Sequence, residues 1–67
     1  MTPRELQLLK LLSSGKSNKE AASVMFISPK TIERHREHLY RKVGVSHVVD
    51  LVHYALAHGH IENKFKP

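Results

Sequence analysis

The stretch KSNKEAASVMFISPKTIERHREHLYRKVG, from Lys16 to Gly44, contains two helix-like segments joined by a very short turn. The first segment, residues 18–25, opens with Ser17 and Glu20, which have the spacing of a capping box. The second segment, residues 29–43, is longer and carries most of the positive charge of the stretch. A short helix, a tight turn and a longer basic helix together predict a helix-turn-helix.

Cap and stop residues extend this pattern to both sides of the stretch. Thr2 and Glu5 form another capping box, and Gly15 follows as a stop residue. Further along the chain, Ser46 is expected to open a helix and Gly59 to end it. The sequence therefore predicts an all-α fold, a compact four-helix domain over residues 1–67, with helices at about 3–14, 18–25, 29–43 and 47–58 and a tail at 60–67.

The core is expected to form from apolar residues at helical spacing. Leucines cover a wide arc of the first helix, and two small residues, Ala21 and Ala22, let the second helix approach a neighbour closely. The apolar turn residues Phe26 and Ile27 are expected to insert into this core.

The overall charge indicates the kind of partner. The chain has 67 residues and a formal net charge of +5, with a pI of about 9.9, which favours a polyanion over a positively charged partner. No apolar run approaches the roughly 20 residues that a membrane span needs. We therefore expect a cytoplasmic protein with no membrane partner.

Metal binding and catalysis have little support in the sequence. Cysteine is absent, and the closest histidine pairs, His35 with His38 and His58 with His60, lack an obvious third ligand. The sequence contains neither a nucleophile with its base nor a phosphate-binding glycine loop. We predict no metal site, no cofactor, no catalytic residue and no enzymatic activity.

The third helix sorts its residues by face. At about 100° per residue, Ile32, Leu39 and Val43 share a narrow arc that should face the core. The opposite face suits the major groove, where arginine and lysine recognise guanine and glutamate accepts from cytosine. The candidate base-reading residues are Lys30, Glu33, Arg34 and Glu37, and the candidate phosphate contacts are Ser17, Lys19, Thr31, Arg41 and Lys42. A merely solvated amphipathic face remains the alternative.

The fourth helix carries a second apolar strip beside the face that docks on the domain. The strip consists of Val49, Val52 and Leu56, with His53 next to it. These four residues form the candidate interface of a weak homodimer that adjacent half-sites on DNA would reinforce. Packing of the strip against the first helix is the alternative.

Three spaced segments resemble one known family. The segment TPRELQLLKLLSSGKSNKEAA (2–22) is similar to T-x-R-E…G-x-S-N-K-E-I-A, and FISPKTIERHREHLYRKVGV (26–45) is similar to f-I-S-x-K-T-V-x-x-H…K-L-G-V. Together with LVHYALAHG (51–59), they resemble the DNA-binding output domain of the LuxR/FixJ family, also called the GerE type. The resemblance extends from Thr2 to Ile61.

The resemblance implies a four-helix domain that binds duplex promoter DNA as a dimer, with its third helix in the major groove. By position, Glu33, Arg34 and Glu37 match the base-facing residues, and His35 matches the family histidine, to which we assign a packing or phosphate role. Ala21 departs from a usual large aliphatic residue and Val48 from a usual arginine. The acidic Glu37 suggests an unusual operator preference.

A transcriptional regulator's DNA-binding domain, which recruits or excludes RNA polymerase at a promoter, is therefore the predicted function. Most family members carry an upstream receiver or ligand-binding domain, so both an excised output domain and a free-standing regulator fit this chain. The alternatives are a basic helical module that docks on an acidic protein and a sigma-factor-like promoter-reading domain.

Overall fold

Four helices account for most of residues 1–62, the part of the chain that the computed structural model describes. Their bounds are α1 Pro3–Ser13, α2 Asn18–Met25, α3 Pro29–Val43 and α4 Val48–Ala57. The all-α prediction is confirmed. Helices α2 and α3 have the predicted bounds, α1 ends one residue earlier, and α4 is shorter by one residue at each end. Residues 63–67 of the predicted tail lie outside the described part.

Reciprocal hydrogen bonds fix the starts of α1 and α2. The Glu5 carboxylate accepts from the Thr2 N–H at 2.8 Å, while the Thr2 hydroxyl accepts from the Glu5 N–H at 3.2 Å. Ser17 and Glu20 repeat this arrangement at 2.9 and 3.1 Å. Each box satisfies two backbone donors that have no partner within the helix, so both starts are determined locally.

The start of α4 differs from the prediction. His47, not Ser46, is the cap residue, and its side chain makes no cap hydrogen bond. A capping oxygen must lie at the cap position itself to reach the second or third helical N–H. Ser46 lies one residue too early, so its predicted role as the opening residue is wrong.

All four helices end in the same way. A residue of positive φ reverses the chain, and the next N–H bonds back to the carbonyl five residues earlier, at 2.8–3.1 Å. In α1, α3 and α4 the reversing residue is glycine, and in α2 it is Phe26, with φ 57°.

The turn between α2 and α3 corrects a second prediction. Phe26 is 94% exposed, so the expectation that it inserts into the core is wrong, whereas Ile27 packs against the core as predicted. In this type of helix end, the residue after the reversing one folds back onto the helix. Only one of the two turn residues can therefore face inward.

The core lies between two pairs of helices. Helix α4 packs mainly on α1, and α2 packs mainly on α3. Ala21, at which a larger aliphatic residue was expected from the family pattern, is fully buried. Within residues 1–62, the buried side chains are all apolar, namely Leu8, Leu9, Leu12, Ala21, Ala22, Met25, Ile32, Leu39, Leu51 and Ala55.

Candidate nucleic-acid interface

Helix α3 separates a buried face from a charged one. Ile32 and Leu39 are fully buried and Val43 is half-buried, as the helical spacing predicts. The Ser28 hydroxyl caps the helix by accepting from the Thr31 N–H at 3.1 Å. All four candidate base-reading residues are exposed, namely Lys30, Glu33, Arg34 and Glu37.

These four exposed residues differ in their partners. Within residues 1–62, Lys30, Glu33 and Arg34 make no side-chain hydrogen bond or ion pair. Glu37 approaches Arg41, with 3.5 Å between Oε1 and Nη2, but both side chains are 74% exposed. Exposed pairs of this kind contribute about 0–1 kcal/mol and exchange readily with water or another anion. The charged face is therefore available to a ligand.

The candidate phosphate contacts lie on two helices. Ser17 and Lys19 are exposed at the start of α2, and Arg41 is exposed near the end of α3. Thr31 is half-buried, and its hydroxyl oxygen lies 2.8 Å from that of Ser28. His35 is exposed, which gives no support to the packing role considered for it. Helix α2 contacts the flank of α3 that carries Arg36.

Lys42 has an internal partner that its position in the sequence does not reveal. Its Nζ lies 2.9 Å from Oε1 of Glu5, which joins the end of α3 to the start of α1. The Thr2 backbone N–H and the Lys42 ammonium lower the pKa of the Glu5 carboxyl from about 4.5 to about 2. A phosphate that binds Lys42 must therefore compete with Glu5.

Arg36 lies on α3 but not on its exposed face. Its side chain is half-buried, with Nε donating to the Tyr40 hydroxyl at 3.1 Å and Nη1 donating to Oδ1 of Asn18 at 2.9 Å. The guanidinium carbon lies 5.3 Å from the centre of the Tyr40 ring. The sequence showed an arginine and a tyrosine on one flank, four residues apart, but it could not show the partner on α2.

The second apolar strip of α4 points away from the core. Leu51 and Ala55 are fully buried, whereas Val52 and Leu56 are half-buried and lie outside the apolar cluster that the described residues form. Val49 is 60% exposed. The strip, with His53 beside it, is therefore a partly exposed apolar surface.

Other kinds of site have less support. Among residues 1–62, no three histidine or acidic side chains come together in a way that could hold a metal ion. Tyr54, His58 and His60 gather at the end of α4, with ring centres 4.2–6.2 Å apart. In the same part of the chain, no helix has both the length and the apolar character for crossing a bilayer.

The fold and the exposed basic helix define a helix-turn-helix DNA-binding domain. The sequence profile described as "Bacterial regulatory proteins, luxR family" matches residues 1–55. The chain belongs to this family and comprises the DNA-binding domain of its transcriptional regulators, a class of regulators and not of enzymes.

Two curated relatives illustrate the similarity. The chain is 44% identical over 59 residues to the transcriptional regulatory protein MctR of Rhizobium johnstonii, which covers 88% of this chain and 28% of that protein. It is 43% identical over 56 residues to the oxygen regulatory protein NreC of Staphylococcus aureus (strain JH9), covering 84% of this chain and 26% of that protein. The chain thus spans about a quarter of the length of these relatives.

Proposed function

We propose that the chain binds duplex promoter DNA with the exposed face of α3 in the major groove, and that it thereby controls transcription by recruiting or excluding RNA polymerase. The observation that carries this proposal is that two cationic side chains, Lys30 and Arg34, are exposed and unpaired within residues 1–62. Both are exposed near the start of α3, and neither has a partner within residues 1–62. The fold does not use these charges, so they are available to an anionic ligand.

The residue types on this face suit base recognition. The major groove admits one α-helix, and an arginine that donates twice to guanine contributes about 1–3 kcal/mol of discrimination. Glu33 and Glu37 would repel phosphates but can accept from the cytosine amino group. We therefore assign base reading to Lys30, Arg34 and the two glutamates.

Phosphate contacts would hold the helix in register from two sides. Ser17 and Lys19 approach from the start of α2, and Arg41 and Lys42 approach from the end of α3. Thr31 and His35 complete the set from the flank of α3.

A second copy of the chain is the proposed partner of α4. The strip of Val49, Val52 and Leu56, with His53 beside it, is small, so the homodimer would be weak in solution. Two adjacent half-sites on DNA would bring two copies together and strengthen it.

The relatives suggest the setting of the domain. Because the chain spans about a quarter of their length, we propose that it functions as the output domain of a larger cytoplasmic regulator, as in response regulators. A signal received by the larger regulator would then act by exposing this domain to DNA or by bringing two copies of it together.

The proposal assigns Arg34 to a base contact and Lys42 to a phosphate contact, and one variant of each residue tests this assignment. A cognate duplex is first enriched from a random pool by the unmodified chain, and affinities for it and for a scrambled duplex are measured across a salt series. Arg34→Ala should lose about 1–3 kcal/mol of preference for the cognate duplex. Lys42→Ala should weaken both duplexes about equally and lower the salt slope by about one.

Arg4→Ala is the matched control, since Arg4 is an exposed arginine on α1 outside the proposed interface. It removes the same charge and should leave the preference unchanged. Equal losses on both duplexes for Arg34→Ala would assign Arg34 to phosphate instead of bases. If the unmodified chain ignores duplex DNA at low salt, the proposed function is wrong and a protein-docking role takes its place.

A further inference from the structure

We propose that Arg36 is a positioning residue for DNA binding, which fixes the start of α2 against α3 and does not itself contact DNA; this inference rests on the proposed function. By charge alone, Arg36 belongs with the other cations of α3. Its geometry separates it from them, because it is half-buried and two of its guanidinium nitrogens donate within the protein, Nε to the Tyr40 hydroxyl at 3.1 Å and Nη1 to Oδ1 of Asn18 at 2.9 Å. A DNA phosphate that took either of these two donors would have to break an internal hydrogen bond.

The position of Asn18 on α2 links this contact to the proposed phosphate contacts. Asn18 is the first residue of α2 and lies between Ser17 and Lys19, the two phosphate candidates of that helix. The Arg36–Asn18 bond therefore joins the phosphate-binding end of α2 to the middle of the base-reading helix. Whether both sets of contacts form together depends on how the two helices are placed.

The two helices are joined through the chain at one end only. The turn of residues 26–28 joins the end of α2 to the start of α3, and Arg36 holds the opposite end of α2. The eight residues of α2 span about 12 Å at 1.5 Å per residue, so a tilt of about 10° at the turn moves its start by about 2 Å. Hydrogen bonds tolerate only a few tenths of an ångström. Close packing of the buried side chains opposes such a tilt as well, and the Arg36–Asn18 bond adds a directional restraint at the end of α2 farthest from the turn.

The chemistry of the contact calls for arginine. The planar guanidinium donates in two fixed directions while it lies over the Tyr40 ring, with 5.3 Å from its carbon to the ring centre. Lysine keeps the charge but presents a single ammonium, which cannot bridge Tyr40 and Asn18 in the same way. Arg36→Lys therefore removes the positioning and retains the electrostatic attraction to DNA.

Arg36→Lys, Asn18→Ala and the double variant test the proposal, with Arg4→Lys as the control for the same chemical change on an exposed helix face. Affinity is measured on the enriched cognate duplex and on its scrambled counterpart across a salt series, below the unfolding range of every variant. Each single variant should lower the cognate-to-scrambled affinity ratio roughly fivefold, the low end of the contribution of one base contact. The double variant should lose no more than either single one, because both remove the same bond.

A readout beyond affinity separates positioning from packing. On the cognate duplex the salt slope should fall by about one, since Lys19 no longer meets its phosphate, although neither variant removes a charge. A merely structural role would lower the melting temperature and leave this slope and the affinity ratio unchanged, which would overturn the proposal.

A direct phosphate contact would also overturn it. In that case Arg36→Gln would weaken both duplexes equally, while Arg36→Lys and Asn18→Ala would match the unmodified chain. Under either contrary result the unmodified chain still binds duplex DNA, so the proposed function stands. Failure of the unmodified chain to bind any duplex would end both proposals.

Discussion

The cationic side chains on α3 differ in whether they have a partner within the protein, although the sequence alone gives no sign of this difference. Arg36 is fixed by Asn18 and Tyr40, and Lys42 by Glu5, whereas Arg34 has no partner within residues 1–62. A side chain with an internal partner must give up that bond to bind DNA, so it contributes less to affinity than its charge suggests. The unpaired cations are therefore the better candidates for recognition.

The Glu5 carboxyl makes the stability of the fold depend on pH in the acid range. Its pKa is about 2 in the folded chain, against an ordinary value of about 4.5, because the Thr2 N–H and the Lys42 ammonium favour the ionised form. A lowered folded-state pKa stabilises the fold above about pH 4.5, and this stabilisation is lost as the pH falls towards 2. Wild type should therefore melt at a higher temperature than Glu5→Gln at pH 6, and the difference should vanish near pH 2.

Glu33→Gln is the control for this experiment, because Glu33 is exposed and has no partner within residues 1–62. It should differ little from wild type at either pH. A gap between wild type and Glu5→Gln that stays constant down to pH 2 would show that the ionised carboxylate does not provide the stabilisation.

At the scale of helices, all four elements end with a residue of positive φ, but only α2 uses a residue other than glycine there. Three helices reverse at glycine, whereas α2 reverses at Phe26 in the left-handed region, with φ 57° and ψ 41°. A side chain in that conformation costs about 1–2 kcal/mol, and glycine avoids the cost but loses about 0.5–1 kcal/mol in chain entropy. The end of α2 is therefore less stable than it could be.

Phe26→Gly should raise the free energy of unfolding by about 0.5–1 kcal/mol. Phe26→Ala keeps the strained conformation and removes a ring that is 94% exposed, so it should change stability by less than about 0.5 kcal/mol. Denaturant unfolding of both variants measures these values. A loss of about 3 kcal/mol or more for Phe26→Ala would indicate a buried ring and contradict the exposed turn.

Sequence reasoning worked where the determinants are local and missed what depends on packing. The capping boxes at Thr2 and Ser17 lie within four residues, so helix starts could be predicted, and the period of α3 gave its buried face. Ser46 misled because serine is a common cap residue, and the position of the cap depends on how α4 docks. The partners of Arg36 and Lys42 lie 18 and 37 residues away, so only the packing of the helices brings them together.

At the scale of the whole molecule, the two helix pairs have different tasks. Helices α2 and α3 carry the proposed DNA contacts, while α1 and α4 pack on each other and leave the outer strip of α4 partly exposed. The proposed dimer surface thus lies on a helix that carries none of the proposed base-reading residues. Pairing and reading can then be altered separately by mutation.

Leu56→Asp should abolish cooperative binding to two adjacent half-sites. Cooperativity should raise the affinity of the unmodified chain for the paired site on the order of 10²-fold, and the variant should lose this gain. Its affinity for a single half-site should stay nearly intact. Charge in the strip would oppose the approach of a second copy, whereas α3 is unchanged. Gel-shift titrations with one and two half-sites measure both quantities.

Gln7→Asp is the matched control, because Gln7 is exposed on α1 and lies outside the proposed strip. It adds the same charge and should preserve cooperativity. Equal loss at single and paired half-sites for Leu56→Asp, together with a lower melting temperature, would mean that Leu56 packs within the domain, and the dimer proposal would fall.

The contact between Tyr40 and Arg36 also has an optical consequence. The chain contains two tyrosines and no tryptophan, so its intrinsic fluorescence comes from Tyr40 and Tyr54 alone. Tyr40 accepts a hydrogen bond from Arg36 on α3, whereas Tyr54 lies on α4, with its ring centre 4.2 Å from that of His58. On a single half-site, where no second copy pairs through α4, a change in emission on adding DNA should therefore report on Tyr40, so that α3 can be followed without a label.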